Sequence, residues 1–350
     1  DETSTFPVDA YFKMARELGF VGLPYPKEYG GQGEDYLSYI LAVEEVSKVD
    51  GAMGISYSVS TSLYGGSLTN SQATEEQLRR FLTPVASGKS LGSFALTEPT
   101  AGSDVAGART LAVRDGDDYV INGSKCFITN GGIADVYVVF ANVDRSKGLK
   151  GLTAFIVERS RPGVSTGKEE DKFGIRLSNT CDVIFEDVRV PAANRLGEEG
   201  EGFKIAMRTL DLSRPFIGAI AVGISQRALD EAVSYSKTRV TFGKPIAKQQ
   251  ALQFMMADMD MQTEAARQTV IYCINRIMMH LPYSREAAIC KCFAGDTAVK
   301  SALDAIQILG GYGYSREYPV EKLLRDAKIF QIFEGTNQIQ RVVIAGQLLK

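Results

Sequence analysis

The spacing of the apolar residues changes twice along the chain, and those two changes limit the folds open to it. From about Asp9 to Ser87 the pattern is helical. Tyr11, Phe12, Met14, Ala15, Leu18 and Phe20 form one stripe, stopped by Gly19, Gly22 and the Pro24/Pro26 pair. Pro26–Gly33 reads as a loop, and Tyr36–Val49 and Glu75–Leu82 as further helices. From Ser90 to about Arg195 the period falls to two. Leu91–Leu96, Thr110–Val113, Tyr119–Ile121, Lys125–Ile128, Val136–Ala141, Thr153–Val157 and Val183–Phe185 are short β-branched or aromatic runs. Asp115-Gly116, Asn122-Gly123 and Pro162-Gly163 are turn signals between them, so roughly seven strands at hairpin spacing predict a compact antiparallel barrel or sandwich. From Glu198 onward the stripes are helical and long, and a helix over about Ala251–Met279 would reach roughly 40 Å. Several such helices in succession predict an up-and-down bundle. Strands gathered in one block, with helices before and after, exclude the alternation of a doubly wound nucleotide-binding sheet.

The 350 residues leave room for two or three domains, and 45% hydrophobic with 23% charged residues suits a sizeable core. A formal charge of −3 gives no basic excess, so no nucleic-acid role is expected. The longest strongly apolar stretch, Phe216–Ile224, is far short of a membrane span. Five cysteines, an odd number, point to a reducing compartment rather than a disulfide framework. The single histidine, His280, excludes multi-histidine metal sites, and no metal is expected. The chain opens on Asp1 with no cationic or apolar presequence, so it is expected to begin inside a longer product or after processing.

Several motifs imitate chemistry. Gly163-Val164-Ser165-Thr166-Gly167 fits a hydrolase nucleophile pattern but lies where a turn between strands is expected. Gly88-Lys89-Ser90 lacks the first glycine of a phosphate loop and precedes a strand, not a helix. Cys290 and Cys292 stand two apart on a helix, on different faces, and read as core thiols around Lys291. His280 is placed at the end of the long helix, where an imidazolium suits the dipole. Asn122-Gly123-Ser124 is a formal glycosylation sequon that we read as a type I′ hairpin turn.

Three segments do look chemical. In Phe94–Asp104 a strand runs into a loop rich in hydroxyls and acids. Phe127-Ile128-Thr129 could face a flat ring. In Ile332–Arg341, Glu334 follows an apolar pair and precedes Gly335. A carboxylate there suits a general base, while the alternative is an acid at a helix start capped by Thr336.

At these segments the chain resembles the acyl-CoA dehydrogenase family over essentially its whole length. The resemblance rests on PKEYGGQG (26–33), FALTEPTAGSDVAG (94–107), INGSKCFITN (121–130), KEEDKFGIR (168–176), FEDVRVP (185–191), RVTFGKPI (239–246), QILGGYGY (307–314) and YPVEKLLRDAKIFQIFEGTNQIQR (318–341). It implies an α+β fold: an N-terminal helical domain over 1–89 with the family's first helix lying before Asp1, a middle antiparallel β-barrel domain over 90–196, and a C-terminal four-helix bundle over 197–350. It implies FAD held by Phe94, Leu96, Thr97, Gly102, Ser103, Phe127, Ile128, Thr129, Thr336 and Gln338. Arg239, Thr241, Gln250, Gln307, Gly310 and Gly311 match positions that reach FAD across a subunit interface, which implies a homo-oligomer, a tetramer built as a dimer of dimers. Ser103, Asp211, Ser213, Arg214 and Gly335 match acyl-CoA-contacting positions.

The implied reaction is removal of an acyl-CoA α-proton by Glu334 with passage of the β-hydride to flavin N5, giving a trans-2-enoyl-CoA. The developing enolate would be stabilised by the flavin ribityl chain and the Glu334 N–H. Members that carry the base on a bundle helix place it at the position of Ser213, which cannot serve. The glutaryl-type arginine matches Gly54, so no distal carboxylate is expected on the substrate. KEEDKFGIR and VVIAGQLLK look butyryl-type and YPVEKLLRDAKI medium-chain, pointing to short or medium acyl chains in fatty acid metabolism. The implied electron acceptor is an electron-transferring flavoprotein, in the cytoplasm of a bacterium or a mitochondrial matrix. Alternatives are an enoyl-CoA reductase or flavin oxidase acting on a branched, cyclic or aryl acyl-CoA, and a non-catalytic flavin or acyl-CoA binding protein.

Overall fold

The structure is a computed structural model that describes residues 3–350, so the expected start at Asp1 lies outside the described residues. The chain forms two compact units: one of Asp1–Tyr39, Ser56–Asp171 and Leu177–Ser213, the other of Ile40–Ile55, Lys172–Arg176 and Arg214–Lys350.

The first unit is built on an eight-stranded sheet. Its strands are β1 (Gly92–Ala95), β2 (Leu111–Asp115), β3 (Asp118–Thr129), β4 (Val136–Asn142), β5 (Leu152–Glu158), β6 (Val164–Glu169), β7 (Thr180–Pro191) and β8 (Arg195–Leu196). The hydrogen-bonded order is β6-β7-β3-β2-β4-β5-β8, with β1 added to β4. Every residue of β4, and all but the last of β5, is buried, as near-continuous apolar runs require. The expectation of a purely antiparallel sheet is corrected. β1 runs parallel to β4, with Gly92 opposite Val136, and β2 touches β4 in parallel at Leu111 and Asn142. The β2–β3 hairpin intervenes in the chain, so β1 and β4 come together by a crossover, which hairpin spacing alone does not reveal.

The Asn122-Gly123 reading is corrected too. β3 passes straight through it as one strand paired with β7, and the register slips between Ile121 and Gly123. Gly123 (φ 153°) stands opposite a bulge whose extra residue is on β7, where Asp187 has φ 52°; a Cβ added at Gly123 would lie 2.5 Å from Thr110 Oγ1. The hairpin turn is at Gly116-Asp117, closed by Asp115 opposite Asp118. Gly163 makes the turn into β6, so the Gly163–Gly167 motif lies on a turn and strand without a nucleophile elbow. Gly88-Lys89-Ser90 is a loop before β1.

In the same unit lie α1 (Val8–Glu17), a buried helical run from Ser56 through a wide π-turn stretch, Val59–Gly65, and the short helices α4 (Gly66–Asn70), α5 (Glu75–Gln77) and α6 (Thr83–Ala86). Tyr11 stacks on Tyr57 with ring centroids 4.5 Å apart. In the second unit, residues 40–49 of α2 (Tyr36–Val49) and residues 51–55 of α3 (Gly51–Ser58) accompany longer helices. These are residues 214–238 of α7 (Gly202–Thr238), then α8 (Gln250–Met278), α9 (Ser284–Leu309), α10 (Val320–Lys328) and α11 (Asn337–Leu348). α2 and α7 approach closely because residue 223 is glycine; a Cβ there would stand 2.5 Å from the Glu44 carbonyl. Arg267 of α8 reaches Glu44 at 2.8 Å. His280 lies just past α8, its N–H on the Ile277 carbonyl. Cys126, Cys181, Cys273, Cys290 and Cys292 are buried and in no disulfide.

Candidate functional site

In the first unit, the end of β1 and the end of β3 are tied together. The Cys126 N–H donates to the Thr97 carbonyl (2.9 Å) and Ser93 Oγ to the Thr129 carbonyl (2.6 Å). This brings Phe94, Leu96 and Thr97 beside Phe127, Ile128 and Thr129. Leu96 and Ile128 are buried; Phe94, Thr97 and Thr129 are half-buried. Phe127 is 66% exposed and held at φ 55°, a backbone conformation that bulky side chains rarely adopt. An exposed aromatic, two reachable hydroxyls and an apolar floor suit a flat ring with polar edges, so these residues fit a flavin. Gly102 and Ser103 follow on an exposed loop, and Gly102 has no neighbour within 4 Å of a would-be Cβ.

A buried ion pair underlies this edge. Lys125 Nζ lies 2.7 Å from Glu98 Oε1 and also donates to the Leu96 carbonyl (3.1 Å). Glu98 accepts the N–H groups of Arg109 and Thr110. Burial works to raise the Glu98 carboxyl, but the Lys125 charge and these hydrogen bonds outweigh it and leave it below its usual value. Asp211 and Ser213 are also in this unit. Ser213 is fully buried, its hydroxyl 2.8 Å from that of Ser62.

In the second unit the chain between α10 and α11 carries Glu334. Its left-handed backbone (φ 52°) is followed by Gly335 (φ 89°). A non-glycine residue in that region costs about 1–3 kcal/mol and persists only where its surroundings enforce it. Gln340 Nε2 donates to the Glu334 carbonyl (3.2 Å) and the Gly335 carbonyl (2.9 Å). Lys291 Nζ donates to the Gly335 carbonyl (2.8 Å) and to Asn337 Oδ1 (3.0 Å). Asn337 in turn donates to the Cys292 carbonyl and to Asp296, and Asp296 also receives Gln331 and Arg341. Arg214 closes on the same turn: a Cβ at Gly335 would sit 3.6 Å from its Nη2 and 2.7 Å from Gln340 Nε2. Thr336 is the N-cap of α11, its hydroxyl accepting the Ile339 N–H, so the helix-cap reading of this threonine holds. Glu334 is half-buried and Gln338 exposed. Burial pushes the Lys291 ammonium down to about 8, with the Glu334 charge acting against that fall.

The remaining expected positions also lie in the second unit. Arg239 follows α7, its guanidinium 5.5 Å from the Tyr312 ring centre. Thr241 is on a two-residue strand paired with Lys244–Pro245, Gln250 opens α8 and Gln307 is in the last turn of α9. Gly310 (φ 62°, ψ −134°) ends α9 in a conformation reserved for glycine, and Gly311 follows in open space. The sequence reading missed Lys291, Gln340, Asp296 and Lys125. The available signal was a lysine inside an otherwise buried helical or strand run, between Ala288 and Ala294 in one case and beside Cys126 in the other. Among the described residues, no group of three metal-ligand side chains occurs and no helix is long and apolar enough to cross a membrane.

Family models described as acyl-CoA dehydrogenase N-terminal, middle and C-terminal domains match residues 1–89, 93–188 and 200–349. A short-chain specific acyl-CoA dehydrogenase of Clostridium acetobutylicum is 49% identical, over 100% of this chain and 92% of that protein. The caffeyl-CoA reductase-Etf complex subunit CarC of Acetobacterium woodii is 45% identical, over 100% and 92%. The solved butyryl-CoA dehydrogenase of Megasphaera elsdenii superposes with a TM-score of 0.98 at 48% identity, covering 100% of this chain and 92% of that one.

Proposed function

The chain belongs to the acyl-CoA dehydrogenase family and is an FAD-dependent oxidoreductase of acyl-CoA, and from that premise we propose that it converts a short- or medium-chain acyl-CoA to the trans-2-enoyl-CoA with Glu334 as base. The observation that carries the assignment is the Glu334–Gly335 turn. A half-buried carboxylate is held at φ 52° by donors to its own and the next carbonyl. A carboxylate so fixed can take an α-proton repeatedly from one position, and its backbone N–H is fixed with it, available to a thioester carbonyl. When bound, FAD supplies the acceptor for the electrons that leave with the β-hydrogen. Phe94, Leu96, Thr97, Gly102, Ser103, Phe127, Ile128 and Thr129, with Thr336 and Gln338, are the residues proposed to hold it. Arg239, Thr241, Gln250, Gln307, Gly310 and Gly311 are proposed to serve a neighbouring subunit's flavin in a tetramer. Ser103, Asp211, Ser213, Arg214 and Gly335 are proposed for the acyl-CoA.

A substrate without a distal carboxylate is supported at Gly54, which offers no side chain to pair one and packs against Ser47. The domain boundaries proposed are 1–89, 90–196 and 197–350, with the middle sheet rolled into a barrel and four long helices bundled at the end. An electron-transferring flavoprotein is the proposed electron acceptor, in bacterial cytoplasm or a mitochondrial matrix. The reductase named among the relatives favours one second reading, the same chemistry run toward the saturated thioester. The test is anaerobic bleaching of the purified yellow protein by a panel of acyl-CoAs. Butyryl-CoA or hexanoyl-CoA should reduce the flavin faster than glutaryl-CoA, and the reverse ranking overturns the substrate argument. Bleaching by none of them overturns the dehydrogenase reading, and fast oxygen uptake after bleaching would make the protein an oxidase.

A further inference from the structure

One face of α9 is devoted to the chain on either side of Glu334. Residues 291, 292, 295 and 296 recur one turn apart along the helix, and each holds a different part of that segment. Gly295 admits the Phe330 carbonyl, which would be 2.7 Å from a Cβ. Asp296 accepts Gln331 (2.8 Å) before the base and Asn337 (2.8 Å) after it. The Cys292 carbonyl accepts Asn337 Nδ2 at 3.2 Å. Lys291 reaches the segment nearest the base, at the Gly335 carbonyl.

A lysine is an expensive choice for a structural peg. It is only 1% exposed, and desolvating an ammonium is unfavourable unless the charge is used. A neutral amide could also reach two acceptors, as Gln340 does on the same turn; what the ammonium adds to its bonds to the Gly335 carbonyl and Asn337 Oδ1 is a positive charge beside Glu334. Two adjacent left-handed residues are thereby closed from both sides, by Lys291 from α9 and Gln340 from α11.

We propose that Lys291 is a positioning residue for the base: its ammonium, bound to the Gly335 carbonyl and to Asn337, holds the Glu334–Gly335 turn and so fixes the Glu334 carboxylate and N–H for proton abstraction. This rests on the reading of Glu334 as the base. The charges that act on Lys291 are Glu334, Cys292, Arg214 and Asp296, so Glu334 is one of three acidic groups coupled to it and Arg214 the opposing cation. The coupling to Glu334 is reciprocal. Removing the ammonium withdraws a favourable interaction from the ionised base as well as a hydrogen bond from its neighbour.

The test follows proton abstraction alone, as exchange of the butyryl-CoA α-hydrogens with D2O under anaerobic conditions in the FAD-loaded enzyme. Glu334→Gln should slow exchange about 10²–10⁴-fold; if exchange stays near wild type, the base reading fails whatever Lys291 does. With that established, Lys291→Met should exchange on the order of 10²-fold more slowly, the scale expected of a misplaced reacting group, with butyryl-CoA affinity changed far less. Its acid limb of exchange should move to higher pH, because the carboxylate has lost a cation. The Lys291→Met/Glu334→Gln double variant should be no slower than Glu334→Gln alone, since the lysine acts through the base. A wild-type rate and pH profile in Lys291→Met, or additive losses in the double variant, overturns the proposal. If Lys291→Met fails to bind FAD or to unfold cooperatively, Gln340→Met removes the other donor to the Gly335 carbonyl; it should slow exchange without moving the acid limb, since no cation is lost, and an unslowed rate overturns the proposal.

Discussion

Gly335 shows how narrowly a single position can be specified. Its φ of 89° is one that side chains rarely adopt, and a Cβ would press to 2.7 Å on Gln340 Nε2. Gln340 is fully buried and already engaged with two carbonyls, so it has little room to give. Gly335→Ala should therefore lower stability by about 1–3 kcal/mol in urea unfolding of the FAD-bound protein, and should lower kcat with it. Unchanged stability and kcat would mean the turn relaxes freely and is not held as described. The neighbouring Glu334→Gln keeps size and most hydrogen bonding while removing the proton acceptor. Its rate of anaerobic flavin reduction should fall about 10²–10⁴-fold, chiefly in kcat, with FAD retained. Near-normal reduction would place the base elsewhere. Glu334 could be picked from the sequence because an acid between apolar residues and a glycine is locally odd. Lys291 could not, because its partner carbonyl lies far along the chain and between two cysteines it reads as core.

At the scale of elements, the Glu98–Lys125 pair fastens the end of β1 to β3, under the edge proposed for the flavin. Lys125→Met leaves the carboxylate buried without its cation, and breaking such a pair typically costs about 3–5 kcal/mol. The pH dependence has a definite sign. In the wild type the Glu98 carboxyl is held below its usual value, so its contribution is present above the ordinary carboxylate range and is lost as pH falls through the lowered value. In Lys125→Met the lone carboxyl can shed its charge by taking a proton, so the deficit should be largest at pH 7 and smaller at pH 5. Unfolding curves at the two pH values check this, and an equal deficit at both would show that the charge of Lys125 is not what matters. The Glu98→Leu/Lys125→Met double variant should recover only part of the loss, because the Arg109 and Thr110 N–H groups lose their acceptor. Elements with local signals were legible: α8 from its long stripe, the β2–β3 turn from Asp115-Gly116. The passage of β3 through Asn122-Gly123 was not, because the same dipeptide serves a hairpin turn or a strand opposite a bulge, and only pairing with β7 decides. The run over Ser56–Asn70 was legible only as part of the helical stretch Asp9–Ser87, without bounds of its own, because its serines, threonines and glycines give no clear apolar stripe. Its hydroxyls are satisfied inside the unit instead, as Ser62 on the Ser58 carbonyl and Ser67 on that of Leu63.

The whole molecule carries apolar surface that the single chain leaves uncovered. Phe242 at the tip of its short hairpin is 95% exposed and Tyr314 after α9 is 88% exposed. Phe254 and Met261, seven residues apart along one face of α8, are exposed as well. Isolated exposed hydrophobes need no explanation, but large ones recurring along one helix face and at a hairpin tip mark a surface that another protein covers. The same neighbourhood holds Arg239, Thr241 and Gln250, the residues proposed to serve a neighbouring subunit's flavin. A second copy of this chain would account for both facts, since in a symmetric dimer each subunit gives and receives the same contacts. Two such dimers paired, the dimer of dimers that the family resemblance implies, make the expected particle in sedimentation a tetramer of about four times the 38.1 kDa chain, with one FAD per chain. Phe242→Ser should weaken it, so that at low protein concentration smaller particles and released flavin appear together. A stable monomer that keeps its FAD would separate the two, leaving the family membership intact and removing the cross-subunit role of Arg239, Thr241 and Gln250.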